Sequence, residues 1–267
     1  MENKIAILGG GNLGVAIAKG LVQGRTSSEG DILITRRNTQ KLEELKNAGF
    51  NVMSDNIEAV KQARIIILCV QPKQLGDLLE QIKSKLIPES HLLVSTITGV
   101  TTAEIISLVD PRIPVVRAMP NTAIAIGQSM TCICATNASP DQIQEVEVLF
   151  SPLGKTLRIE ERLMKAATVL AASGIAFFMR YLRAATQGGI QLGFDAEEAQ
   201  LIAVQTALGA ASLISEGDSH PELEIDKVTT PEGCTIAGLN EMEHQGLSSA
   251  LIKGIITSFE KINNIRK

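Results

Sequence analysis

Aromatic side chains are scarce in this chain of 267 residues: they make up 3%, with no tryptophan and one tyrosine, Tyr181. Base-stacking platforms and aromatic carbohydrate clefts are hard to assemble from that stock. Charge of either sign is not in excess, with 25 basic against 29 acidic residues and no basic block. A nucleic-acid binder carries a cationic stripe, so no nucleic-acid partner is expected. Cysteine is sparse, and Cys69, Cys132, Cys134 and Cys234 form no C-x-x-C pair. That excludes a disulfide scaffold and points to a reducing compartment. The three histidines (His91, His220, His244) lie far apart and form no H-E-x-x-H, so no metal site is expected. Met1 to Lys4 lead straight into Ile5-Ala6-Ile7-Leu8, without the charged segment and long apolar core of a secretory signal. The apolar stretches 65–70 and 169–179 fall short of the about 20 residues that span a bilayer. The expectation is therefore a cytoplasmic chain with no membrane partner. With 45% hydrophobic and 20% charged residues, the chain has the composition of a folded protein of one large or two modest domains.

What is present is alternation. Short β-branched runs at 4–8, 31–35, 64–70, 92–96 and 115–118 are separated by helical patterns at 12–23, 39–48, 73–85 and 102–108. A strand at 131–135, a helix at 141–150 and a strand at 156–159 follow. Ile65-Ile66-Ile67-Leu68 and Leu92-Leu93-Val94 are apolar on consecutive residues, the mark of strands covered on both faces. This predicts an α/β fold with an N-terminal doubly wound (Rossmann) sheet over residues 1–160. From 161 to 267 the signals are helical: a long segment at 162–187 that is apolar nearly all round, a helix opened by the Asp195–Glu198 capping box, and helices at 235–245 and 247–263. So much apolar helical surface predicts an all-helical C-terminal dimerisation domain and a homo-oligomer.

Gly9-Gly10-Gly11-Asn12-Leu13-Gly14 is G-x-G-x-x-G between the first strand and the first helix. Gly9 permits the tight turn, Gly11 lets a diphosphate approach the backbone, and Gly14 allows close helix–strand packing. The free N–H groups of Asn12 and Leu13 at the helix start would face the anion. The second strand ends at Thr35-Arg36-Arg37, with no acidic residue to hold a ribose 2′-OH. The two arginines would meet a 2′-phosphate, with Thr35 and Asn38 as further donors, which favours NADPH over NADH. The alternative is that the arginines are solvated surface residues.

A second loop, Val228-Thr229-Thr230-Pro231-Glu232-Gly233-Cys234-Thr235-Ile236, couples Thr-Pro, a helix-start signal, to a glycine and three hydroxyls. The N–H groups from Gly233 to Thr235 would lack intrahelical partners and cradle a small carboxylate. Without a ligand in view, an ordinary capped helix fits the same residues.

The segment 226–239, together with Arg117-Ala118-Met119-Pro120-Asn121-Thr122, Gly127 and Met130-Thr131, resembles the signatures of the pyrroline-5-carboxylate reductases. The likeness extends over essentially the whole chain. It implies reduction of 1-pyrroline-5-carboxylate, a cyclic imine carboxylate, to L-proline with NADPH or NADH as the last step of proline biosynthesis. It also implies an intertwined homodimer and a decamer of five dimers. Residue by residue, the resemblance places Thr230, Gly233, Cys234 and Thr235 on the substrate carboxylate. Thr235 also becomes the proton donor to the ring nitrogen. It puts Met119, Pro120 and Asn121 beside the nicotinamide, Val70, Gln71 and Pro72 beside the ribose and diphosphate, and Thr96 over the coenzyme. The chain departs from the family pattern at Gln71, where lysine is usual. It departs again at Ala171 to Phe177, where S-G-S-G-P-A-Y is usual, and at Glu232, where a glycine is usual.

The chemistry agrees with this without a catalytic His or Lys. Hydride transfer to C=N needs alignment and one proton, which a hydroxyl can deliver, whereas ketone reduction needs a stronger acid for the developing alkoxide. A related imine reductase or a β-hydroxyacid dehydrogenase-like enzyme shares the plan. The latter needs a lysine on the first long C-terminal helix, where only Lys165 is available. A non-catalytic NADP-binding protein is the reading from another class.

Overall fold

Residues 4–217 and 219–262 are described by the computed structural model. The strands are β1 (Ile5–Leu8), β2 (Ile32–Thr35), β3 (Asn51–Met53), β4 (Ile65–Leu68), β5 (Leu92–Ser95), β6 (Val115–Met119), β7 (Ser129–Ala135) and β8 (Gly154–Arg158). All residues of β1, β2, β4, β5 and β6 are buried. Alternate residues point to opposite faces. Ile5, Ile7, Ile32, Ile34, Ile65 and Ile67 join one core cluster, and Ala6, Leu8, Leu33, Ile66 and Leu68 join another. Both faces are covered by helices, which explains the uninterrupted apolar runs.

One eight-stranded sheet runs in the order β3-β2-β1-β4-β5-β6-β7-β8. β1 to β6 are parallel, β7 is antiparallel to β6, and β8 is parallel to β7. The strand order reverses at β1, between β2 and β4. In such sheets ligands bind beyond the strand C-termini at this point. The register puts Leu8, Thr35, Leu68 and Ser95 on one row, so the loops that follow leave the sheet at one level.

The helices on this sheet are α1 (Asn12–Gln23), α2 (Glu43–Asn47), α3 (Asn56–Gln62), α4 (Leu75–Ile82), α5 (Thr102–Ile106) and α6 (Pro140–Phe150). Some of the expected helices are shorter and tighter at their ends. The 39–48 segment opens as a 3-10 turn at Thr39–Leu42, and the 73–85 segment has 3-10 turns on both sides of α4. β3 and α3 have no counterpart in the sequence reading.

The long apolar segment begins with α7 (Met164–Ala167), widens into a π-helical turn at Thr168–Ser173 and continues as α8 (Gly174–Gln191). α9 (Ala196–Glu216), α10 (Pro221–Val228), α11 (Cys234–His244) and α12 (Leu247–Ile262) follow. α10 was not anticipated. Asn263, at the expected end of the last helix, lies outside the described residues. Two compact units result, 1–173 with 258–267, and 174–257. The strands end before 161, while the units divide at 174.

Within the second unit, α8 and α9 meet through a turn at Gly193, whose φ is 109°. Gly189 allows their close approach, since a Cβ there would lie 2.9 Å from the Ala199 Cβ. Asp195 caps α9 and pairs with Glu198 as its spacing predicts. Large apolar side chains remain exposed on both helices, among them Phe178, Met179, Leu201 and Leu213. The helical run Glu161–Gln191 is long and apolar enough, by length and composition, to cross a bilayer, and little of it is buried in the single chain. This corrects the expectation of no such segment. The apolar stretch at 169–179 is short by itself, but the helix carries apolar residues well beyond it.

Candidate active site

The glycine loop supplies three different backbone needs. Gly9 sits at φ 120°, and a Cβ there would lie 2.4 Å from the Cys69 carbonyl oxygen. A Cβ on Gly14 would lie 2.2 Å from the Gly9 carbonyl oxygen. Gly11 is different: a Cβ would meet nothing within 4 Å. Gly11 is also the N-cap of α1, and no side chain caps this helix. The N–H groups of Asn12, Leu13 and Gly14 therefore lack intrahelical acceptors, as an anion site at the start of a helix of 12 residues requires.

Neighbouring strands hold the loop in place. The Gly9 and Gly10 N–H groups both donate to the Thr35 carbonyl (3.3 and 2.7 Å). Thr35 is buried, and its hydroxyl donates to Asn56 Oδ1 at 2.6 Å. Thr35 thus anchors the loop, and its hydroxyl is not turned toward a ligand. Arg36 Nη1 donates to the Gly10 carbonyl at 2.6 Å, which fixes its guanidinium beside the phosphate loop, while Arg37 is exposed. Of the two arginines, Arg36 is the one the fold places at the loop. The Asn38 side chain caps the following 3-10 turn by accepting from Gln40 N–H.

The loop after β4 carries Val70, Gln71 and Pro72 to the same edge. Val70 Cγ1 lies 3.2 Å from where a Gly9 Cβ would stand. Gln71 is exposed, and its N–H donates to Gln74 Oε1 at 3.2 Å. Thr96, after β5, is buried, and its hydroxyl donates to the Leu68 carbonyl at 3.0 Å. That leaves the Cys69 thiol as donor to the Thr96 oxygen at 3.1 Å. Burial pushes this thiol up to about 12, so it stays protonated. Thr96 ties β4 to β5 through its side chain.

At the end of β6, Met119 and Pro120 are buried. Asn121 is buried too, and its side chain accepts from Ala123 N–H (3.0 Å) and donates to the Ala171 carbonyl (3.2 Å). Four residues before Asn121, buried Arg117 pairs with Glu161 at 3.2 Å. Glu161 also accepts from the Thr102 N–H (2.7 Å) and hydroxyl (2.5 Å), the first turn of α5. Burial raises the Glu161 carboxyl, but the Thr102 donors and Arg117 outweigh it, and the net shift is downward. This clamp was not anticipated. Its one signal was Arg117 at the head of the R-x-M-P-N-T segment.

The second loop lies in the other unit. α11 starts at Cys234 with Gly233 as N-cap, so Pro231 belongs to the preceding turn and not to the first helical turn as its position predicts. The Gly233 N–H closes that turn by donating to the Thr230 carbonyl at 3.0 Å. It is therefore not free, and the open donors at this helix start belong to Cys234, Thr235 and Ile236. A Cβ at 233 would lie 2.5 Å from the Thr230 hydroxyl and 3.0 Å from its carbonyl oxygen, so any larger residue must displace the Thr230 side chain. The Thr229 hydroxyl is engaged elsewhere, donating to the Ile225 carbonyl at 2.8 Å. Glu232 is exposed and sits at φ 56°, a left-handed conformation that favours glycine. Thr230 and Cys234 are exposed, and Thr235 is half-buried.

Comparison with known proteins gives these loops a context. Residues 161–265 match the family model described as pyrroline-5-carboxylate reductase dimerisation. Residues 4–99 match the model described as NADP oxidoreductase coenzyme F420-dependent. Pyrroline-5-carboxylate reductase 1 of Dictyostelium discoideum is 49% identical over 97% of this chain, which spans 49% of that relative's length. Pyrroline-5-carboxylate reductase 2 of the same organism is 46% identical over 97% of this chain and 92% of its own. The fold is shared with a solved pyrroline carboxylate reductase of Plasmodium falciparum with NADP bound, at a TM-score of 0.91, 24% identity and full coverage of both chains. With this fold, these loops and near-complete alignment to the second of these relatives, the chain belongs to the pyrroline-5-carboxylate reductase family.

Proposed function

We propose that the chain reduces 1-pyrroline-5-carboxylate to L-proline with NADPH, as the last step of proline biosynthesis. The observation that carries this reading is a pair of bare helix N-termini on one chain. That of α1 is flanked by Arg36, and that of α11 is flanked by hydroxyls. The first fits a dinucleotide, since Gly11 leaves the approach open and the Asn12, Leu13 and Gly14 N–H groups face a diphosphate. Arg36 answers the extra charge of a 2′-phosphate, with Arg37 beside it, which supports NADPH over NADH.

That coenzyme, when bound, supplies the hydride. Gly9 shapes the loop, Val70, Gln71 and Pro72 border its ribose and diphosphate side, and Met119 and Pro120 border its nicotinamide side. Thr35 and Thr96 act behind the surface, where their hydroxyls hold the loops together. In the second unit the Cys234 and Thr235 N–H groups bind the substrate carboxylate. Thr230 and Gly233 shape the turn that presents them. The Thr235 hydroxyl delivers the proton to the ring nitrogen as C=N becomes an amine. No stronger acid is needed, because the imine nitrogen is far more basic than a ketone oxygen, so it holds its proton as the hydride arrives and the product is a neutral amine. The exposed apolar faces of the second unit are covered by another copy of the chain, as a homodimer and, at a further level, a decamer. This accounts for the apolar run at Glu161–Gln191 without a membrane, and fits a cytoplasmic enzyme.

NADPH absorbance followed with 1-pyrroline-5-carboxylate, and again with NADH, tests the reading. Loss of NADPH with formation of proline is the expected result. Folded protein that binds NADPH but leaves this imine unreduced would refute it.

A further inference from the structure

Asn121 lies next to the loop that borders the nicotinamide, yet each of its polar groups is already bonded within the protein. Its N–H donates to Ser129 Oγ at 3.1 Å and its carbonyl accepts from Ile124 N–H at 3.1 Å. Its Oδ1 accepts from Ala123 N–H at 3.0 Å, and its Nδ2 donates to the Ala171 carbonyl at 3.2 Å. The residue is 7% exposed. The partners fix the orientation of the amide, since one is a donor and the other an acceptor. What remains, one Nδ2 hydrogen and one Oδ1 lone pair, belongs to an amide whose plane and direction are already set by partners within the protein and which is almost wholly buried.

The two side-chain bonds do different things. The bond from Ala123 N–H caps the 3-10 helix Thr122–Ile126. The bond to Ala171 spans 50 residues of chain and ends on the π turn at Thr168–Ser173. A π turn interrupts the regular i→i−4 ladder, and such turns cluster at functional sites. One planar amide thus joins the loop after β6 to the wide turn, so neither shifts without the other. The same helical run is pinned at its start by Glu161 on Thr102 and Arg117.

We propose that Asn121 is a positioning residue for hydride transfer, holding Met119 and Pro120 in place through its tie to Ala171, and is not a coenzyme ligand. The inference rests on the reductase reading above. A displacement of about 1 Å at a reacting centre can cost up to 100-fold in rate, so the tie is felt in turnover.

Asn121→Asp separates the two roles. It keeps an oxygen for the Ala123 N–H but sets an oxygen, not a donor, against the Ala171 carbonyl. The expected result is a fall in kcat of at least tenfold, with KM and Kd for NADPH within twofold of wild type. Amides of 168–173 should also exchange with deuterium at least tenfold faster. Asn121→Ala should show the same loss of kcat together with a lower Tm. If that variant fails to fold, Asn121→Asp, with its cap retained, carries the test. Wild-type kcat in Asn121→Asp overturns the proposal, as does a loss confined to NADPH affinity. If wild-type protein leaves the imine unreduced, the reductase reading fails by itself, and unchanged exchange at 168–173 in Asn121→Asp still overturns the tie.

Discussion

The glycine loop separates binding from folding, and alanine substitutions at Gly11, Gly9 and Gly14 put this to the test. Gly11 has φ −82° and ψ −171°, which any residue adopts, and a Cβ there touches nothing within 4 Å. Alanine is a poorer N-cap than glycine by about 0.5–1 kcal/mol, and the loss of unfolded-chain freedom returns about 0.4–1 kcal/mol. Gly11→Ala should therefore leave stability within about 0.5 kcal/mol of wild type. The added methyl instead occupies the open side where the diphosphate meets the Asn12 to Gly14 N–H groups. A hydrogen bond to a charged group contributes about 1.5–3 kcal/mol, so forfeiting one weakens NADPH by roughly 10- to 150-fold. Gly9→Ala and Gly14→Ala reverse the balance. Their methyls would stand 2.4 and 2.2 Å from carbonyl oxygens, and Gly9 adds a positive φ. Each should cost about 2–4 kcal/mol of stability. Coenzyme fluorescence titration and thermal unfolding on the same preparations give both quantities. Wild-type NADPH affinity in Gly11→Ala would mean that the diphosphate does not approach there.

Arg36→Ala should raise the KM for NADPH about tenfold or more, the worth of one charge-assisted contact, while the KM for NADH stays near wild type. Equal losses for both coenzymes would reduce Arg36 to its tie on the Gly10 carbonyl. Glu232→Gly relieves a left-handed non-glycine residue, worth about 1–2 kcal/mol, against about 0.5–1 kcal/mol of added chain entropy. A rise in Tm of about 2 °C follows, and a fall would contradict the strain. His91 is buried, with Nδ1 accepting from Ile87 N–H (2.7 Å) and Nε2 donating to the Val60 carbonyl (3.2 Å). Burial lowers its pKa below the usual 6.5, against the raising effect of the Val60 and Ala63 carbonyls. The unfolded chain therefore takes up this proton first as the pH falls. The stability from His91 is complete above about pH 6.5 and is lost below it, by up to about 1.4 kcal/mol per pH unit. Melting from pH 7.5 to 5 should show a shallower slope in His91→Gln than in wild type, and equal slopes would exclude His91 as the source.

The central strands were legible because burial on both faces leaves apolar residues at every position, and α1 because glycine and helix signals adjoin. β3 escaped because it is three residues long and carries Asn51, too short and polar for a strand pattern. α3 and α10 are short helices with polar faces that read as connections. At the site, the glycine roles follow from spacing, since they concern neighbours in the chain. The duties of Thr35, Thr96 and Asn121 do not, because their partners Asn56, Leu68 and Ala171 are 21, 28 and 50 residues away. For the same reason the π turn was read as uninterrupted helix: the bond that meets it comes from another part of the sheet.

The shared row of Leu8, Thr35, Leu68 and Ser95 has an evolutionary side. Because the strands end level, the loops at 9–14, 36–38, 69–72 and 96–99 leave one fixed frame at a common height and meet one another above it, as Arg36 meets the Gly10 carbonyl and Cys69 meets Thr96. Each can change length or charge without disturbing the register of its neighbours. A lineage under pressure to switch coenzyme can then do so with a few substitutions at 36–38, giving up the Arg36 tie to the Gly10 carbonyl while the nicotinamide end remains untouched. Variation among descendants of this fold should accordingly arrive loop by loop, with the sheet as the part that stays still.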